Sequence, residues 1–123
     1  MSDTAVAVTN LTANTVTADI ITTAEGGTSV SAGNTAVFTV NGDTRNIIFG
    51  VYGTGVATLT VEAGDNPPSL RQGLGTATLT VPASDELLFV LEGARFMQDN
   101  GTIRIAVATN NVVISAHRFP DTV

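Results

Sequence analysis

The sequence predicts an all-β protein, an antiparallel β-sandwich with a jelly-roll-like arrangement of eight to nine short strands. Threonine accounts for 20 of the 123 residues, and such β-branched side chains favour the pleated surface of a sheet. The apolar residues alternate with a period of two, in runs that are short for helices. Turns rich in Asn and Gly separate these runs, as in antiparallel β-proteins. We expect one domain, 1–123, with a flexible N-terminal arm at 1–4.

The first half of the chain contains four predicted strands. The first alternates weakly, which is typical of an edge strand, whereas the other three place one apolar face inward. Phe38 and Phe49 lie on these inward faces and are predicted core residues. The four strands are 5–9, 15–22, 35–41 and 45–52.

The second half contains five predicted strands, 55–62, 75–81, 86–92, 102–108 and 111–118. The run 86–92 is apolar on both faces, which predicts a central strand or one covered on both sides, with Phe89 in the core. The stretch 57–65 is similar to 77–85 at a spacing of 20 residues. Because the similarity occurs only once, we interpret it as two strands on matching sides of one sandwich rather than as a solenoid.

Four short segments join predicted strands through Asn or Gly, which tolerate the positive φ of tight hairpins. They are 41–43, 52–55, 99–101 and 110–111. We therefore expect the strands on either side of each segment to pair with each other. The least strand-like segments are 24–34, 63–73 and 93–98, and Pro67 and Pro68 predict a rigid loop in the middle one.

The charges are few and mostly acidic. Five arginines, no lysine and eleven acidic residues give a net charge of −6. Dispersed arginines on an acidic chain argue against binding to nucleic acids, which requires clustered cations, and against binding to a membrane surface. The apolar runs are too short to span a bilayer, and we expect no signal peptide. The absence of cysteine excludes disulfides and thiolate metal sites.

Few residues suit catalysis or metal binding. His117 is the single histidine, and no nucleophile-elbow pattern accompanies it. Asp85 and Glu86 are adjacent, so on a strand their side chains point to opposite faces. The acidic turns at 65–66 and 99–100 lack the spacing of a calcium loop. We therefore expect no enzymatic activity, no metal and no cofactor, although a small carboxylate-dependent hydrolase remains an alternative.

The segment 95–98 holds an arginine, a phenylalanine and a methionine, residue types that are enriched in protein interfaces. An alternative is that Phe96 or Met97 plugs the end of the sandwich. The candidate interface residues are Arg71, Arg95, Phe96, Met97 and Phe119. Few aromatic residues remain to form a platform for a sugar.

Several stretches resemble a family of small phage proteins, the head decoration or capsid cement proteins. The stretch 35–43 reads TAVFTVNGD, 60–64 reads TVEAG and 94–105 reads ARFMQDNGTIRI, and the last strand ends in RFP at 118–120. These stretches follow one another as in that family. The resemblance implies a jelly-roll or sandwich domain without catalytic residues, which oligomerises, often as a trimer, on the outside of an icosahedral shell.

The expected function is therefore that of a structural virion protein that decorates and stabilises the exterior of a phage capsid. Its expected partners are the major capsid protein and further copies of this chain, as a homotrimer. A non-catalytic β-sandwich module that binds carbohydrate or a cell surface is the alternative, because sandwiches often serve that role.

Overall fold

A computed structural model describes residues 3–11, 27–40, 46–65, 75–91 and 93–119. These parts of the chain contain ten strands and a single helical turn. The strands are β1 (Asp3–Val6), β2 (Val8–Asn10), β3 (Thr28–Val30), β4 (Thr35–Thr39), β5 (Ile47–Gly53), β6 (Ala57–Val61), β7 (Ala77–Val81), β8 (Glu86–Phe89), β9 (Thr102–Ala108) and β10 (Val112–Arg118). The turn, α1, is Gly93–Phe96. No helix in the described residues is long and apolar enough to cross a membrane.

The strands form two sheets that enclose a common apolar core. The first sheet has the order β1-β4-β9-β6-β7, and the second has the order β2-β10-β5-β8, with β3 also paired to β10. Without β1 and β2, the orders β4-β9-β6-β7 and β3-β10-β5-β8 are those of a jelly roll. The predicted fold class is therefore confirmed, with ten strands instead of eight to nine.

The predicted tight hairpins are wrong where the structure describes them. Residues 52–55 lead from β5 to β6 and residues 110–111 lead from β9 to β10, and each passes from one sheet to the other. Residues 99–101 join α1 to β9, while 41–43 lie outside the described residues. Turn chemistry specifies a reversal of the chain, but it does not specify whether the next strand joins the same sheet.

Residues 3–10 contribute one strand to each sheet. β1 runs parallel to β4, with Asp3 opposite Thr35, and β2 runs parallel to β10, with Val8 opposite Ala116. The predicted strand 5–9 is therefore split at Ala7. Asp3 and Thr4, which fall in the expected arm at 1–4, pair with Thr35 and Ala36 of β4. The expectation of purely antiparallel sheets is wrong for β1 with β4 and for β2 with β10.

Phenylalanine rings fill the centre of the sandwich. Phe38 and Phe49 are fully buried, and their rings meet edge to face with centroids 5.1 Å apart. Phe89 is half-buried and stacks on Phe49 with centroids 5.3 Å apart. The prediction of core positions is thus confirmed for Phe38 and Phe49, and Phe89 covers this core from one side.

One prediction of strand position is wrong, and one strand lies in a segment with little strand pattern. The run 86–92 is not central: β8 lies at the edge of its sheet, and Leu88 is 65% exposed. The segment 24–34, one of the least strand-like in the sequence, contains β3, a strand of three residues that pairs with β10. The predicted strand 15–22 lies outside the described residues.

The sequence repeat has a direct structural counterpart. β6 and β7 have the same sequence, Ala-Thr-Leu-Thr-Val. They are neighbours in the first sheet, paired antiparallel with Leu59 opposite Leu79. The repeat therefore reflects two adjacent strands within one sheet, rather than strands on matching sides of the sandwich.

Candidate interface surfaces

Two segments that are distant in sequence form a junction at one end of the sandwich. Residues 63–65 follow β6, and residues 95–99 include the end of α1. The four hydrogen bonds between them run from Gly64 N–H to Arg95 O (2.8 Å), from Asp65 N–H to Met97 O (3.3 Å), from Gln98 Nε2 to Ala63 O (2.8 Å), and from Asp99 N–H to Asp65 Oδ2 (2.6 Å). The stretches 60–64 and 94–105 therefore contact each other in space.

Gly64 is required by this close approach. A Cβ atom at this position would lie 2.5 Å from the Met97 carbonyl oxygen and 2.8 Å from the Arg95 carbonyl oxygen. Both neighbours are backbone atoms, which cannot rotate away as the end of a side chain can. The junction therefore excludes every other residue type at position 64 unless the backbone shifts.

Phe96 plugs the end of the sandwich. Its side chain is 4% exposed and belongs to the core, and the half-buried Met97 packs against that core. The guanidinium carbon of Arg95 lies 4.7 Å from the centroid of the Phe96 ring, a distance typical of a cation–π contact. Because Phe96 is buried, only Arg95 and Met97 of the three are accessible for contact with a partner.

Arg95 also contacts the start of β7. Its Nη2 donates a hydrogen bond of 3.4 Å to the carbonyl oxygen of Thr76, and its buried Nε has no hydrogen-bond partner among the residues that the structure describes. The side chain therefore links α1 to the outer strand of the first sheet.

Phe119 lies at the same end of the molecule. It follows β10, is 42% exposed, and its N–H donates to the carbonyl oxygen of Asn46, which precedes β5. The Arg118 guanidinium reaches the Val40 carbonyl oxygen, and Val40 N–H donates to Gly101 O. These bonds connect the two sheets at this end, so the structure brings Arg95, Met97 and Phe119 to one end of the sandwich. Arg71 lies outside the described residues.

A cleft of about 610 Å³ opens where the N-terminal segment passes between the sheets. It lies beside Ala7 and is bordered by Asn10, Val40 and Arg118. It therefore belongs to the same end of the sandwich as Phe119.

Sequence reasoning missed the side of the sandwich formed by β7 and β8. Leu88 and Val90 are 65% and 69% exposed. An apolar groove of about 210 Å³ runs beside them, lined mainly by Leu59, Leu79, Val81, Leu87 and Phe89. The uninterrupted apolar run 87–91 was the available signal, because a strand with large apolar residues on both faces needs a cover on both.

An ion network of side chains on the outer face of the first sheet links β1, its edge strand, to β9 and to the residue after β6. The Arg104 guanidinium donates to both carboxylate oxygens of Asp3, at 2.9 and 3.0 Å, and its Nε lies 3.4 Å from Glu62 Oε1. The hydrogen bond from Arg104 lowers the pKa of Asp3 below its ordinary value of 3.8. The network therefore holds the N-terminal strand in a geometry that favours the charged carboxylate.

The described residues offer one arrangement that resembles a catalytic pair. Ser115 Oγ lies 3.0 Å from His117 Nε2, because residues two apart on β10 share a face. Ser115 is 4% exposed, so a substrate has little access to its oxygen. Asp85 and Glu86 are both exposed, at the start of β8. Within the described parts of the chain, no three His, Asp or Glu residues gather to hold a metal.

Comparison with protein-family models, with curated proteins and with solved structures gives no match to this chain.

Proposed function

We propose that this protein is a structural virion protein that decorates and stabilises the outside of a phage capsid shell. The observation that carries the proposal is the junction between 63–65 and 95–99. These residues fall in or beside two of the stretches that resemble the head decoration proteins, and four hydrogen bonds join them. The resemblance therefore concerns residues that depend on one another in space, and not only their order in the sequence.

The surface at this end of the sandwich suits contact with a protein shell. Arg95 and Met97 are half-buried and Phe119 is 42% exposed, and arginine, methionine and phenylalanine are enriched in protein interfaces. Many copies on a symmetric shell bind together, so each contact needs only modest affinity. We propose that this end faces the major capsid protein.

Mixing the purified protein with expanded, undecorated heads and imaging them tests the proposal. We expect ordered density on the outside of the shell. The variant Phe119→Glu places a charge on the proposed contact surface, and its binding should weaken at least tenfold, which corresponds to about 1.4 kcal/mol. Binding is quantified by co-sedimentation with the heads.

Val56→Glu is the matched control. Val56 is 53% exposed and its carbonyl oxygen accepts a hydrogen bond from Asn110, at the opposite end of the sandwich. We expect this variant to decorate heads as the parent protein does. A shell without added density would contradict the proposed role. Equal loss of binding in Phe119→Glu and Val56→Glu would contradict the proposed contact surface. A strong hit on a glycan array would favour the alternative, a carbohydrate-binding module.

A further inference from the structure

The strand sequence Ala-Thr-Leu-Thr-Val pairs with a copy of itself in this fold. β6 and β7 share that sequence and lie antiparallel, with Ala57 opposite Val81, Leu59 opposite Leu79 and Val61 opposite Ala77. This register is symmetric about Leu59 and Leu79, so each residue of one strand lies opposite the residue type that its counterpart in the other strand also faces. Two β7 strands paired about Leu79 would repeat these side-chain neighbours, through backbone groups on the side of β7 opposite to those that bind β6.

β7 has such an edge, and the hydrogen bonds show which backbone groups face it. Glu62 N–H donates to Arg104 O, so the groups of Glu62 point towards β9. Because directions alternate along a strand, Leu59 points towards β7 and Leu79 points back towards β6. The N–H and C=O groups of Thr78 and Thr80 then point away from β6. Among the described residues no strand other than β6 pairs with β7.

The free edge of β7 is neutral over Ala77–Val81, and it is flanked by Pro82 and by the Arg95 guanidinium on the Thr76 carbonyl oxygen. Edge strands in natural proteins commonly carry charges, prolines or bulges. β7 contains no charged residue and no proline, and it pairs with β6 in an unbroken register. The chain has a net charge of −6, so two copies repel each other least where they meet at a neutral strand.

The neighbouring apolar surface lies on the same side. The groove between β7 and β8 contains Leu79 and Phe89, and Leu88 is 65% exposed beside it. A second copy at the free edge of β7 would bring its own groove against this one, because a twofold axis places the same surface on both sides. Both the unpaired backbone and the exposed apolar side chains would then be covered.

We propose that two copies of this chain associate through the free edges of their β7 strands. The strands run antiparallel about a twofold axis at Leu79, so that Ala77 faces Val81 of the second copy and Thr78 faces its Thr80. The two first sheets become one continuous sheet. This contact is isologous and closes as a dimer, in contrast to the trimer that the resemblance implies. The inference concerns only the contact between copies and does not depend on binding to a shell.

The mass in solution is the first test. Sedimentation velocity should give twice the 12.6 kDa of one chain. Thr78→Pro removes an outward N–H without removing a hydrogen bond to β6, and we expect at least tenfold weaker dimerisation. Thr78→Ala keeps the N–H and serves as the matched control, with dimerisation within about threefold of the parent.

A cross-link tests the register independently of the proline variant. The chain has no cysteine, and Leu79 would face its own copy in a non-hydrogen-bonded pair, with Cα atoms about 4.5 Å apart, within the range of a disulfide. Leu79→Cys should therefore form a disulfide-linked dimer under mild oxidation. Thr78→Cys should not, because Thr78 faces Thr80 of the second copy.

Three results would overturn the proposal: a monomer at about 100 μM, a mass of three chains, or a dimer that forms no Leu79→Cys cross-link. A folded Thr78→Pro protein, verified by circular dichroism, that dimerises as strongly as Thr78→Ala would also overturn it. If Thr78→Pro does not fold, the cross-link decides. If a monomeric Thr78→Pro variant still binds heads, dimerisation through β7 is not required for the proposed decoration of a shell.

Discussion

Gly64 is the residue on which the junction at the end of the sandwich depends most directly. Gly64→Ala places a Cβ against the carbonyl oxygens of Met97 and Arg95. We expect a loss of about 1–3 kcal/mol in the free energy of unfolding, as for other overpacked sites, measured by urea denaturation. Ala63→Ser, a change at the exposed neighbouring position, is the control and should stay within about 0.5 kcal/mol. Equal stability of both variants would show that the junction yields easily.

Phe38 tests the packing of the core. Its ring is fully buried and meets Phe49 edge to face, so Phe38→Ala removes a large apolar group and leaves a cavity. We expect a loss of about 3–5 kcal/mol in the free energy of unfolding. The exposed Val56→Ala is the control, with an expected change within about 0.5 kcal/mol. A loss below about 1 kcal/mol for Phe38→Ala would contradict its place at the centre of the sandwich.

At the level of the elements, β1 depends on the ion pair between Asp3 and Arg104. The pKa of Asp3 is lowered by the hydrogen bond from Arg104, so the charged form favours the folded state. The stabilisation is therefore fully present above the ordinary pKa of 3.8 and is lost as the pH falls through the lower folded pKa. Asp3→Asn should reduce stability at neutral pH and make no difference well below pH 3.8.

Thermal unfolding of Asp3→Asn and the parent across this pH range measures the effect. Glu86→Gln is the control, because Glu86 is exposed on β8 and makes no ion pair among the described residues. A difference between Asp3→Asn and the parent that persists at low pH would mean that β1 is held by something other than this charge. High salt should weaken the effect, since the Asp3 side chain is 58% exposed and that of Arg104 is 30% exposed.

The elements also show how far the sequence predicts the fold. Alternation with a period of two locates β4, β5, β6, β7 and β9, in which alternate side chains enter the core, whereas β10 is buried on both faces over Val112–Ala116. Alternation fails for β3, which has only three residues. It misplaces β8, because a run that is apolar on both faces is typical both of a central strand and of an edge strand with exposed apolar side chains. The sheet to which each strand belongs depends on contacts between residues far apart in the chain, and local turn chemistry does not encode these.

At the level of the whole molecule, the candidate surface could be predicted only in part. Composition singled out Arg95, Met97 and Phe119, and the fold brings them to one end of the sandwich. Phe96 has the same composition signal but is buried, because the helical turn directs it into the gap between the sheets. The side formed by β7 and β8 had no residue among the candidates, since an edge is a property of the sheet order and not of any single strand.

The position of β10 has a consequence for biosynthesis. This strand joins β5 to β2 and β3, yet it is translated after all of them. On the ribosome, β3 and β10 are separated by about 80 residues, a delay of roughly 4–16 s at ordinary elongation rates. Throughout that interval the nascent chain carries strands whose common neighbour has not been made. The second sheet is therefore completed only after translation has passed β10.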